Sequence, residues 1–275
     1  MSSDSALTYS IDDLRRIMQR LRDPEKGCPW DQKQNFDTIA SFTLEETYEL
    51  IDAIESGQFD QVQDELGDVL FQIVFYAQLG VEQGLFDFDS VVDGIARKLL
   101  RRHPHVFTDS NIDSHNNSDI SISEVKDNWE RIKNEERQAK NRPHLLDDIP
   151  RALPALPRAQ KLQKRVSRIG FDWATTAAVL DKVQEEISEL EIALSAGNAM
   201  EIESEMGDVL FSVVNLSRHA GVDAETALRR AVNRFEQRFR MMEDSAETEG
   251  SSLELESAEQ LEARWQSAKQ ALSQR

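Results

Sequence analysis

The sequence predicts an all-α protein made of two tandem homologous helical domains. Three observations carry that expectation: an internal repeat, apolar residues at helical spacing, and scarce strand-like alternation. LEETYELIDAIE at 44–55 is answered by QEEISELEIAL at 184–194, so Glu45, Glu46 and Glu49 recur 140 positions later as Glu185, Glu186 and Glu189. ELGDVLF at 65–71 recurs at the same offset as EMGDVLF at 205–211, and Gly57 as Gly197. The register then slips by four: 86–103 corresponds to 222–239 at an offset of 136, which also carries Trp129 onto Trp265 and Lys133 onto Lys269.

Taken in order, 40–55 places Phe42, Leu44, Tyr48, Leu50, Ile51 and Ile54 on an apolar stripe, the mark of an amphipathic helix. The run 60–79 continues it without proline, with Asp60 as the expected N-cap. A third helix is expected at 88–103, capped by Asp89, and a fourth at 123–139. The polar stretch 108–121 between them reads as a surface loop. Pro143, Pro150, Pro154 and Pro157 forbid a continuous helix through 141–157. That segment is read as the inter-domain linker, with leucines able to dock on a domain surface. A short helix at 158–169 opens the second copy. Helices at 178–195, 199–219, 223–240 (capped by Asp223) and 253–272 follow, with a loop at 243–252. The domain bounds expected are thus 1–140, 141–157 and 158–275.

Composition limits the function. The formal net charge of −19 repels nucleic acid and anionic membrane alike, so neither is expected as a partner. No apolar run approaches a membrane span, and the N-terminal MSSDSALTYS lacks the features of a secretory leader. A cytoplasmic location is expected by elimination. The single cysteine, Cys28, excludes an internal disulfide.

The chemistry lies in the repeated carboxylates. Glu186 and Glu189 share a helix face, and Glu205 and Asp208 repeat that spacing on the next helix. A short turn at Gly197 makes the two helices antiparallel neighbours, so four carboxylates can converge. Like charges so close repel, and a hard divalent cation relieves them: Mg²⁺, with Mn²⁺ as substitute. Glu46, Glu49, Glu65 and Asp68 form the same set in the first copy. Any single E-x-x-E is ordinarily a solvated helix face; the duplication with its glycine and GDVLF context argues otherwise. Glu185 is open between ligand, base and surface residue. None of the five histidines stands three residues after a candidate glutamate, which disfavours a di-iron bundle. Neither a P-loop nor a G-x-G-x-x-G motif is present.

Cations recur as well. Arg234 and Arg238 lie four apart, as do Lys98 and Arg102; Lys269 follows Trp265 by four, as Lys133 follows Trp129. The tryptophans serve equally as helix-packing anchors, and the arginines as surface ion pairs. Read functionally, cations for phosphates, a tryptophan for a flat group and carboxylates for a metal point to hydrolysis of a nucleoside polyphosphate. Spacing does not decide which phosphoanhydride breaks.

The chain resembles the MazG nucleoside triphosphate pyrophosphohydrolase family, whose pattern is E-E-x-x-E, a spacer, then E-x-x-D. It appears here as Glu45-Glu46-x-x-Glu49 with Glu65-x-x-Asp68, and as Glu185-Glu186-x-x-Glu189 with Glu205-x-x-Asp208. GCPWDQKQNF at 27–36, RKLLRRHPHVF at 97–107, VKDNWERIKNEER at 125–137 and KLQKRVSRIGFDW at 161–173 are also similar to the family. The resemblance implies tandem MazG-like domains completed by dimerisation. It implies Mg²⁺-dependent conversion of ribo- and deoxyribonucleoside triphosphates to monophosphate and pyrophosphate. It places catalysis in the C-terminal copy, with Glu186, Glu189, Glu205 and Asp208 as metal ligands, Glu185 beside them, and Arg234, Arg238, Trp265 and Lys269 holding nucleotide. Family members often carry lysine where Arg234 stands. The first copy, with Lys98, Arg102, Trp129 and Lys133 offering a second nucleotide site, is demoted to a structural or regulatory role. A nucleotide sensor without turnover and a pure dimerisation bundle are the competing classes.

Overall fold

A computed structural model describes residues 8–108, 111–116, 120–139 and 144–273. All regular structure among these residues is helical. The chain divides into two compact units, Met1–Lys133 and Asn134–Arg275. The first holds α1 (Ile11–Leu21), α2 (Pro29–Lys33), α3 (Phe36–Ser56), α4 (Phe59–Glu82) and α5 (Phe88–Arg102). The division falls inside α6 (Ile122–Ala139). The second unit continues with α7 (Ala155–Ser167), α8 (Thr176–Ala196), α9 (Ala199–His219), α10 (Ala224–Thr248) and α11 (Ala258–Ser273).

Each unit is organised around one helix hairpin. Asn35 opens α3 by accepting from the backbone N–H groups of Asp37 and Thr38, which satisfies orphan donors of the first turn. Gly57 closes it in the left-handed region, φ 72°, and α4 starts two residues later. Gly197 does the same for α8 at φ 73°, and Asn198 caps α9. Left-handed backbone penalises any Cβ, so both turns require what glycine alone supplies at no steric cost. α3 packs along α4, and α8 along α9. In the first unit α1 closes over α4, burying Met18, Ile39, Val74, Phe75 and Leu79. Arg22 ties this corner: its Nε and Nη2 donate to Glu82 at 2.7 and 2.6 Å, and its guanidinium lies 5.2 Å from the Phe75 ring centroid. Gly80 is walled in, since a Cβ there would stand 2.6 Å from Phe86 Cε2 and 2.7 Å from the Phe86 carbonyl oxygen.

The expected helices all form, with shifted ends. Asp60 is not the cap of α4; Gln58 holds that position without a side-chain bond, and Asp60 lies in the first turn. Asp87, not Asp89, caps α5 through a reciprocal box with Ser90, leaving Asp89 to receive Arg15 Nη1 at 2.9 Å. Asp223 caps α10 as expected, accepting from Thr226 N at 2.9 Å. α10 overruns the expected loop at 243–252 because Met242 and Ala246 extend its buried face; Gly250, φ 70°, follows its end. α7 begins at Ala155 and admits Pro157, which sits in the first turn where a helix has no backbone N–H to lose. The slip of four in the repeat has a local cause: α4 has 24 residues and α9 has 21, so the extra turn is carried at the C-terminal end of α4. Two helices were absent from the periodicity reading. α2 has only five residues, and α1 only 11.

Pro143 lies outside the described residues, as do 109–110 and 117–119 of the polar loop. From 144 onward the proline-rich segment packs within the second unit. Ile149 is buried, and Arg165 Nη1 donates to the Leu145 carbonyl at 2.9 Å and to Asp148 Oδ1 at 2.5 Å.

Candidate active site

The two hairpins carry the repeated carboxylates onto facing helices. On the first, Glu46 and Glu49 of α3 meet Glu65 of α4, each offering an oxygen within 4.8 Å of the others. On the second, Glu186 of α8 meets Glu205 and Asp208 of α9 within the same limit. Three of each expected four therefore converge, and the fourth stands alongside. Asp68 raises the pKa of Glu46 by its charge, and Glu189 hydrogen-bonds to Glu186. Glu185 is not among the converging oxygens; it is bonded to Lys182 at 2.7 Å and more than half exposed.

The electrostatics follow from crowding. Desolvation, then the charges of Asp68, Glu49, Glu45 and Glu65, push Glu46 above the usual carboxylate range. Glu65 rises for the same order of reasons, desolvation ahead of Glu49 and Asp68. Glu189 rises by desolvation and then by Glu186, with Lys182 opposing. A cation is the natural remedy for such a cluster. The second copy contains one of its own: Lys182 Nζ lies 2.7 Å from Glu185 and 2.8 Å from Glu186, and these bonds hold its ammonium more firmly protonated. The sequence reading missed Lys182, although its place three and four residues before the two glutamates was a visible signal. The equivalent position in the first copy is Phe42, which packs edge-on against Trp30 with centroids 5.5 Å apart.

The basic and aromatic residues assemble only partly. In the first unit Arg102 and Lys133 both lie over Trp129, at 5.5 and 5.8 Å from its centroid, with His103 edge-on at 4.9 Å. In the second, Arg238 lies over Trp265 at 5.5 Å, and Phe235 lies 5.3 Å from the same ring. Among the described residues no such ring contact includes Lys98, Arg234 or Lys269. Arg264, beside Trp265, draws α11 to the end of α10 through Ser245, Glu249 and Glu256.

The donor set of both clusters is oxygen alone, and Asp208 is exposed beside buried Glu186. That chemistry suits a hard divalent ion that keeps open positions for other oxygens. The fold and the site thus define an all-α protein with a duplicated carboxylate cup on paired helices.

Comparison with known proteins fits this description. The MazG nucleotide pyrophosphohydrolase domain matches at 34–107 and again at 174–241. The nucleoside triphosphate pyrophosphohydrolase of Escherichia coli (strain K12) is 52% identical over 261 residues, covering 94% of this chain and 97% of that protein. The nucleoside triphosphate pyrophosphohydrolase/pyrophosphatase MazG of Thermotoga maritima is 42% identical over 259 residues, covering 94% and 95%. Bacillus subtilis YabN is 38% identical across 98% of this chain, which spans 54% of that longer protein. The chain belongs to the MazG family of nucleotide pyrophosphohydrolases.

Proposed function

We propose that this enzyme cleaves ribo- and deoxyribonucleoside triphosphates to the monophosphate and pyrophosphate, with Mg²⁺ (or Mn²⁺ in its place) at the carboxylates of the second hairpin. The observation that carries this is the convergence of Glu186, Glu205 and Asp208 from two helices in a chain of this family. A divalent cation held there supplies positive charge against the polyphosphate and the departing pyrophosphate. Glu186, Glu189, Glu205 and Asp208 are its ligands in this reading. One or more of these glutamates orients the attacking water and accepts its proton; Glu185 and Lys182 fix the position of Glu186. Arg234, Arg238, Trp265 and Lys269 of α10 and α11 hold the nucleotide. Residues 158–275 form the catalytic domain, and the expected linker 141–157 belongs to the same unit where it is described. Residues 1–140 form a structural or regulatory copy, with a second site at Glu46, Glu49, Glu65, Asp68, Lys98, Arg102, Trp129 and Lys133. A cytoplasmic homodimer that binds neither nucleic acid nor membrane completes the reading. No described helix is long and apolar enough to cross a bilayer.

The test is product analysis with each nucleoside triphosphate, with and without Mg²⁺. Pyrophosphate, and no free phosphate, is the expected first product, and chelation abolishes it. Glu189→Gln and Asp208→Asn are expected to lower kcat by at least about a hundredfold with helicity unchanged, and Glu49→Gln and Asp68→Asn to leave most turnover. Primary release of phosphate, or equal losses in both copies, would overturn the assignment.

A further inference from the structure

The two carboxylate cups repeat their acids but not their cation. Lys182 stands on α8 three residues before Glu185 and four before Glu186, one helical turn away from both. Its ammonium lies 2.7 Å from Glu185 Oε1 and 2.8 Å from Glu186 Oε1. Those two carboxylates are unlike each other. Glu186 is 7% exposed and converges with Glu205 and Asp208, whereas Glu185 is outside that group and more than half exposed. In the first copy Glu45 and Glu46 keep the places of Glu185 and Glu186, but Phe42 stands where Lys182 would be. Phe42 packs on Trp30 and carries no charge.

An ion entering among Glu186, Glu205 and Asp208 meets the Lys182 ammonium on a carboxylate that it needs. Both are cations seeking the same oxygen-rich group, and they repel each other. A fully solvated ion pair would count for little. Here the burial of Glu186 keeps water from screening its side of the pair. The ammonium also has somewhere to go. Its flexible four-carbon stem lets it leave Glu186 and keep the bond to Glu185 that it already makes.

We propose that Lys182 is a tethered counter-ion that lowers the affinity of the second cup for a free divalent ion, and that Glu185 is the carboxylate onto which the ammonium withdraws when the ion takes Glu186. This rests on the metal reading of that cup and adds to it a role for two residues outside the ligand set. Without the ion, Lys182 offsets the repulsion among the crowded carboxylates. With the ion in place, Glu185 keeps the displaced ammonium paired. Phe42 offers the first cup no such control.

The experiment is a Mn²⁺ titration of the full chain, with the free ion followed by electron paramagnetic resonance. Every protein carries Glu46→Gln and Glu49→Gln, so that the second cup alone is counted. In this background Lys182→Met is expected to tighten Mn²⁺ about tenfold, and Glu185→Gln to weaken it about threefold. Added to Lys182→Met, Glu185→Gln is expected to change the affinity by less than about twofold, because it then has no ammonium to hold. An affinity that Lys182→Met leaves unchanged or lowers overturns the inference. So does equal weakening by Glu185→Gln with and without the lysine, which would make Glu185 a charge acting on the ion directly. Should Lys182→Met lose its helicity, Lys182→Gln, which removes the charge and keeps a polar side chain, carries the same expectation. A background protein that binds no Mn²⁺ sinks the metal reading and the inference with it; binding that ignores both substitutions sinks the inference alone.

Discussion

Asp172 shows how much one side chain can organise. Burial pushes its carboxyl up, but hydrogen bonds from Arg218 and His219 outweigh this and bring it down to about 2. A carboxylate whose folded pKa is depressed stabilises the fold above its unfolded value and loses that contribution as pH falls through the folded one. The window here runs from the ordinary 3.8 down to about 2. Asp172→Asn is expected to cost about 1–2 kcal/mol near neutral pH, with parent and variant converging across that window. Urea unfolding at a series of pH values measures it, and a gap independent of pH would refute the assignment. Of the residues around the acidic clusters, the carboxylates were legible in the sequence because three-residue spacing on a helix fixes a shared face. Lys182 was passed over because an isolated lysine in a charged helix has no repeat partner to advertise it: the first copy carries Phe42 there.

Among the elements, the hairpin turns are the points where local chemistry sets global geometry. Gly197 has open space around its missing Cβ yet a left-handed backbone, φ 73°; Gly207, mid-helix in α9, has open space and ordinary helical backbone. Space cannot distinguish them, so the backbone does. Gly197→Ala is expected to destabilise by about 1 kcal/mol, and Gly207→Ala to gain up to about 1 kcal/mol, both read as shifts in urea midpoint. The same sign for the two would contradict this account. The existence and order of the helices from α3 onward were readable from apolar spacing, α1 and α2 were not, and the caps of α4 and α5 were each misplaced. Several Asp and Gln residues cluster at those starts, and only the three-dimensional path of the chain selects which one faces the free N–H groups. The overrun of α10 has the same origin, since buried Met242 and Ala246 hold helical a stretch whose polar residues read as a loop.

For the whole molecule, the outstanding fact is how much apolar surface the two hairpins leave uncovered. Leu70 and Leu210, at equivalent places on α4 and α9, are 38% and 53% exposed, and Phe235 on α10 is 56% exposed. Contiguous apolar faces of this kind mark association surfaces. Sedimentation equilibrium is expected to give twice the mass of one chain, and Leu210→Glu to shift the population toward monomer; a monomeric parent would remove the dimer from the proposal. The wall that Phe86 builds against Gly80 has a different reach. Any larger residue at position 80 must displace both a ring and a carbonyl, in the unit assigned no turnover. Randomising that codon and selecting survivors would therefore score architectural tolerance by itself, uncontaminated by chemistry.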